Sequence, residues 1–251
     1  VFILGLIGFV AVGISLGMLG GGGSILAVPV LVHILGLPAS VAVPMSLPVV
    51  GAAAAVGAIS RWRRGELRLG MAAAFALAAM GSSFAAARLG VGIPDGPRLL
   101  LFASVMLVAA VLMWRRSLRI PASGDQAESE PSGLALPKLI PVALAVGALT
   151  GLVGVGGGFL IVPALAGVLA LPMAQATATS LAVIALNTFA ASAGWWGHSQ
   201  LDLTLTLEVT AAALVGMMIG TRLAPRVTAR SLTRGFAILV LVVAVFMLVV
   251  R

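Results

Sequence analysis

Glycine clusters set inside apolar sequence are the residues here whose type and spacing point to chemistry. Gly20-Gly21-Gly22-Gly23-Ser24 interrupts one apolar stretch, and Gly154, Gly156, Gly157 and Gly158 interrupt another. Glycine lets a backbone N–H turn toward a ligand with no Cβ in the way. A helix starting just after such a break adds the positive end of its dipole, and N–H groups with a dipole form an anion site. Polar side chains follow each cluster: Ser46 after the first, and Gln175, Thr177, Thr179, Ser180 and Asn187 after the second. Hydroxyls and amides replace the water shell of a dehydrated anion. Close packing is the competing explanation, since small residues line helix contacts in membranes and a threonine or serine there often bonds its own backbone.

The two clusters belong to a repeat. Gly17–Val49 aligns without a gap with Gly151–Val183 at a constant offset of 134 residues, with 15 identities over 33 positions. Gly20 falls on Gly154, Gly22 and Gly23 on Gly156 and Gly157, Pro29 on Pro163, Pro38 on Pro172, and Ser46 on Ser180. The first cluster is spelled like a flexible linker, but a linker has no diverged twin in the same apolar flanks. Glycine-broken apolar segments in corresponding places of two halves point to a binding site between broken membrane helices.

The elements that must position these residues are membrane helices. The chain has 251 residues, 61% hydrophobic and 9% charged, against ~25% charged for soluble domains. Its apolar runs are continuous, not alternating, which favours helices over a barrel. The expected fold is an all-α polytopic membrane protein of two homologous halves arranged as inverted repeats, each a Gly-broken helical hairpin plus three spans. The first repeat takes residues 1–116 and the second 138–251. The polar run at 117–137 is a cytoplasmic linker.

Val1–Leu37 as one helix is ~55 Å long, well beyond the ~30 Å hydrocarbon core. The expectation is a helix to about Gly17, a break at Gly20–Gly23, a short helix from Ser24 to Leu35, and a span from Ala39 to Ser60. In the second half the corresponding helices are Leu139–Thr150, Phe159–Leu169 and a span to Trp196, then Leu203–Leu223 and Leu232–Val250. With each broken pair returning to its own side, loops 61–68, 115–138 and 222–234 share one face and carry 12 of the 15 basic residues. The positive-inside rule makes that face cytoplasmic. The net charge of +8 is thereby explained by topology, and no nucleic-acid partner is expected. No cleavable signal peptide is expected either, because the first repeat starts at once.

Other polar residues carry weaker readings. His33, opposite Gly167 in the repeat, and Glu208, near a helix start, are candidates for a proton-coupling role. The chain has no cysteine, which excludes thiolate chemistry and disulfides. It holds no H-E-x-x-H and no P-loop lysine, so it does not read as an enzyme, and no cofactor or metal is expected.

The pattern G-x-x-G-x-G-G-G-x-[LI]-x-V-P, present as Gly151–Pro163 and slightly altered as Gly17–Pro29, resembles the TauE/SafE family of sulfite and organosulfonate exporters. The downstream A-x-x-T-S-L (Ala176–Leu181), with its degraded copy Ala42–Leu47, fits the same family. The resemblance implies a carrier in the bacterial cytoplasmic membrane, of about eight helices, for a small sulfur-containing anion such as sulfite or sulfoacetate. The first copy departs from the pattern at Ser24, Pro44 and Met45. The expected function is a secondary transporter, an exporter, with the anion held between the glycine loops by backbone N–H groups and by Ser46, Thr179, Ser180 and Asn187. A proton-coupled organic-acid uptake carrier and an anion channel are the alternatives.

Overall fold

A computed structural model describes residues 2–89, 95–119, 136–153, 158–195 and 202–249. Every regular element among them is helical, and the elements keep the register of the repeat. α1 (Phe2–Leu19) corresponds to α6 (Leu136–Val153). α2 (Ser24–Pro29, continued by a π-helical turn at Val30–Ile34) corresponds to α7 (Gly158–Pro163, continued at Ala164–Val168). α3 (Ala39–Trp62), α4 (Leu69–Leu89) and α5 (Asp95–Arg119) correspond to α8 (Met173–Trp195), α9 (Leu203–Leu223) and α10 (Ala229–Val249).

Local chemistry explains the boundaries. The four glycines form a tight 3-10 turn, opened by Gly20 at a φ of +72°, a conformation that costs glycine little and other residues more. The glycine break is thus a helical turn rather than an open loop. Each short arm winds past its proline into a π turn, closed by bonds from Leu35 N to Val30 O (3.2 Å) and from Leu169 N to Ala164 O (3.1 Å). A left-handed residue then ends the arm in both halves: Gly36 at φ +72° and Ala170 at φ 55°. α6 begins at Leu136, earlier than expected, because Pro137 sits in the first turn, where its missing N–H leaves no helix bond unmade. α2 folds back along α1. A Cβ at Gly5 would meet Leu35 Cγ at 2.8 Å, and one at Gly8 would meet Val30 Cγ1 at 2.9 Å.

Packing then crosses between the halves. α1 lies along α9, α4 along α6, α3 along α8 and α5 along α10. α1 and α9 run in the same sense: Gly13 abuts Ala213 and Met217, while Gly17 abuts Met217, Gly220 and Thr221. Gly216 and Gly220 return the contact against Val10 and Ile14. α3 and α8 run in opposite senses, with Gly51 against Thr188 and Gly57 against Leu181. In lipid no hydrophobic force draws helices together, so these glycine faces supply the close van der Waals approach that does. The buried centre holds Phe9, Phe75, Phe159 and Phe236. Leu77, Leu203 and Leu207 are among the large apolar side chains left about 70% exposed on the outer surface (73%, 70% and 69%).

Four described helical stretches are long and apolar enough to cross a membrane: Phe2–Ile34 (α1 together with its folded-back arm), Pro44–Trp62, Leu69–Ala86 and Leu203–Arg226. Leu139–Leu149 and Gly158–Val168 are shorter apolar helices. The chain is a multi-pass membrane protein, all-helical among the described residues.

Candidate functional site

The first glycine break meets the start of α7. The 3-10 turn at Gly20–Gly23 packs against the start of α7 and against α8. A Cβ on Gly21 would overlap the Gly158 carbonyl, so the two backbones touch where a side chain has no room. From the other side, a Cβ on Gly158 would lie 2.7 Å from Ser24 Oγ and 2.9 Å from Ile184 Cδ1. A Cβ on Gly20 would lie 2.7 Å from Ser180 Oγ and 3.2 Å from Thr177 Cα. Gly20, Gly21, Ser24, Gly158 and Ser180 therefore form one junction between the halves. Gly22 faces Phe236 of α10, and Gly23 turns back onto Leu16 of α1. Gly154, Gly156 and Gly157 lie outside the described residues.

Hydroxyls at the junction divide into two kinds. Ser24 Oγ donates to Gly21 O (2.7 Å), Ser180 Oγ to Thr177 O (2.9 Å) and Thr177 Oγ1 to Met173 O (2.7 Å). Those protons are committed to backbone carbonyls, the usual habit of such residues in helices. Thr179 differs. It is fully buried and its Oγ1 has no hydrogen-bond partner. A buried hydroxyl without a partner costs about 1–3 kcal/mol, and here it leaves a donor unclaimed one residue from the junction. Asn187 Oδ1 is likewise buried and unpartnered, eight residues beyond Thr179 along α8 and so about 12 Å from it. Ser46 is buried in α3, 6% exposed.

The two candidates for proton coupling stand apart from this junction. His33 is exposed in the π turn of the first arm, its Nδ1 donating to Pro29 O at 3.2 Å. The neighbouring Ile34 lies beside Gly8, which is about 18 Å along α1 from Gly20. Glu208 is exposed on α9.

One residue of consequence was assigned by sequence only to the basic loop. Arg61 ends α3 and is 3% exposed. Its Nη2 donates to Gly17 O (2.8 Å), and its Nη1 pairs with Glu66 (2.9 Å). Gly17 is in the last turn of α1, where carbonyls lack helix partners. The guanidinium caps that end and holds the glycine turn against α3. A signal was present: an arginine directly following an apolar span, with a carboxylate five residues on. Three further arginines tie helix ends on this face: Arg64 to Thr221 O (3.1 Å), Arg116 to Leu171 O (2.9 Å) and Arg68 to Gln175 Oε1 (3.2 Å).

Among the described residues no group of histidine, cysteine and carboxylate side chains is arranged to hold a metal. The junction itself holds glycine backbone and hydroxyls, with the Asn187 amide further along α8.

Comparison with known proteins agrees. The sulfite exporter TauE/SafE family matches residues 4–247. The chain belongs to that family. A probable membrane transporter protein of Xylella fastidiosa strain 9a5c is 35% identical over 242 residues, covering 94% of this chain and 91% of the relative. Its counterpart from strain Temecula1 is 34% identical over the same extent. No solved structure matches. As a TauE/SafE protein the chain is a membrane transporter, in keeping with its apolar helices and repeated glycine motif.

Proposed function

We propose that this protein is a secondary carrier that exports a small sulfur-containing anion, such as sulfite or sulfoacetate, across the bacterial cytoplasmic membrane by alternating access. The observation that carries this reading is the meeting of Gly21 with Gly158, which joins one glycine break from each half at a single buried junction. In this packed arrangement the junction is closed. Separating the Gly20–Gly23 turn from the start of α7 by a rocking motion would free glycine N–H groups for an oxyanion beside Thr179 and Ser180, with Asn187 further along the same helix. The anion would bind there alternately from either face.

Halves of opposite orientation are one arrangement that serves alternating access. The opposed run of α3 and α8 supports inverted repeats, because those two helices occupy the same place in the repeat. So does the parallel run of α1 with α9, a helix of one half aligned with a non-equivalent helix of the other. The membrane potential, negative inside, favours anion efflux by ~2.3 kcal/mol per charge per 100 mV. Export therefore requires no coupling proton, in accord with His33 and Glu208 lying away from the junction.

The test is flux from proteoliposomes loaded with sulfite, sulfoacetate, acetate or chloride, with counterflow measured in parallel. Sulfite or sulfoacetate efflux with counterflow, reduced in Thr179→Val and Asn187→Leu, is the expected result. Proton-dependent movement of carboxylates alone would establish the organic-acid carrier. Flux without counterflow would establish a channel.

A further inference from the structure

On the face that carries loop 61–68, the ends of α3 and α9 enclose a cleft of about 270 Å³ that the transport reading does not use. The two helices approach closely just inside it, where a Cβ on Gly57 would lie 2.7 Å from Met217 Sδ. Above this contact a valley opens outward. Its walls are apolar and exposed: Val56 (38%) and Ile59 (49%) on α3, and Met218 (47%) on α9. Its mouth is ringed by Arg63, Arg64 and Arg222. Arg64 is engaged with Thr221 O. Arg63 and Arg222 make no hydrogen bond or ion pair among the described residues, and the one ion pair nearby, Arg61 with Glu66, leaves no carboxylate to balance them.

Two properties of this cleft have to be met together. Three guanidinium groups converge with no anion, and each prefers a planar or tetrahedral oxyanion with several acceptors. Directly below them lies an apolar valley on the outer surface of a membrane protein, whose natural filling is an acyl chain. The exposed Trp62 (56%) at the end of α3 sets the level of the cleft at the membrane–water interface, where tryptophan concentrates. A free phosphate satisfies the arginines and leaves the valley open. A zwitterionic lipid fills the valley but brings a cation to the arginines. An anionic phospholipid satisfies both.

We propose that the cleft between the ends of α3 and α9 is a binding site for an anionic phospholipid, its phosphate held by Arg63 and Arg222, with Arg64 at the rim, and an acyl chain along Val56, Ile59 and Met218. The lipid bridges the last turn of one half and a helix of the other, so its occupancy steadies the contact between them. Basic clefts at the cytoplasmic ends of membrane helices suit such headgroups, each basic residue adding an attraction that is screened by salt.

The experiment is native mass spectrometry of the purified chain with phosphatidylglycerol, phosphatidylcholine and soluble glycerol phosphate, paired with thermal unfolding in the same mixtures. Wild-type protein is expected to retain phosphatidylglycerol over phosphatidylcholine and to unfold later with it. Arg63→Gln/Arg222→Gln is expected to lower that preference roughly tenfold. Equal retention of both lipids by the wild type overturns the proposal without recourse to any variant. Equal stabilisation by glycerol phosphate also overturns it, because the site then takes a soluble anion. An unchanged preference in the double variant overturns it as well. Should that variant not fold, the wild-type comparison and Ile59→Trp, which fills the valley and is expected to lower lipid retention while keeping the arginines, decide the matter.

Discussion

The guanidinium of Arg61 donates to the carbonyl of Gly17 at 2.8 Å and to Glu66 at 2.9 Å. One side chain thus links the end of α1, the end of α3 and the loop leading to α4, immediately before the glycine turn. Removing it leaves a buried carbonyl and a half-buried carboxylate unpaired. Arg61→Leu should cost about 3 kcal/mol, at the lower end of the range for breaking a buried pair, because Glu66 is 24% exposed. Glu66→Gln should cost less. Unfolding in detergent measures both, and a loss no larger in Arg61→Leu than in Glu66→Gln would contradict the capping role.

Thr179 gives a test that separates binding from packing. Its buried hydroxyl has no partner, so Thr179→Val removes an uncompensated polar group and should leave stability unchanged or raise it by up to about 1 kcal/mol. Transport should nevertheless fall if that hydroxyl serves the anion. A variant with full transport would show that Thr179 only packs.

Gly21→Ala should be far more damaging than Gly167→Ala. A methyl group on Gly21 would be driven into the Gly158 carbonyl, whereas Gly167 has nothing within 4 Å. The first substitution must force the Gly20–Gly23 turn away from the start of α7, and protein yield and thermal midpoint should both drop. Gly167→Ala serves as the matched control and should differ little from wild type.

Ala170 sits in a left-handed conformation that its counterpart Gly36 adopts without penalty. The conformation costs a non-glycine residue about 1–2 kcal/mol, while glycine gives back about 0.4–1 kcal/mol through the freer unfolded chain. Ala170→Gly should therefore stabilise the protein by about 0.5–1 kcal/mol. Gly36→Ala should destabilise it by a similar amount.

Orientation has a direct test, because the chain contains no cysteine. Arg68 and Asp202 are equivalent in the repeat and both are exposed. With inverted halves, Arg68→Cys and Asp202→Cys must react with an impermeant maleimide from opposite sides of the membrane. Labelling of both from one side would rule out inversion.

Much of the architecture was readable because the chain states it twice. The alignment of Gly17–Val49 with Gly151–Val183 anticipated the first break, both arms and the starts at Ala39 and Met173, since proline and glycine act locally. The glycine turn was harder to foresee. Four glycines read as an opening in the helix, yet only Gly20 leaves right-handed space and the rest wind on as a 3-10 turn. Arg61 was misplaced for a different reason: its charge marks it for the water, and only the carbonyl of Gly17, distant in sequence, makes burial tolerable. The pairing of α1 with α9 was equally beyond local reading, because the two glycine faces that match lie in different halves.

That pairing sets an order of assembly. α1 ends at Leu19, and α9, whose Gly216 and Gly220 fit against it, begins only at Leu203. At a synthesis rate of about 5–20 residues per second, α1 waits in the bilayer for roughly 10–40 s before its partner is made. During that interval its glycine face is covered by lipid alone, and α6 reaches α4 well before α9 reaches α1. α1, inserted long before its partner is made, is thus locked against α9 only after most of the second half has been synthesised.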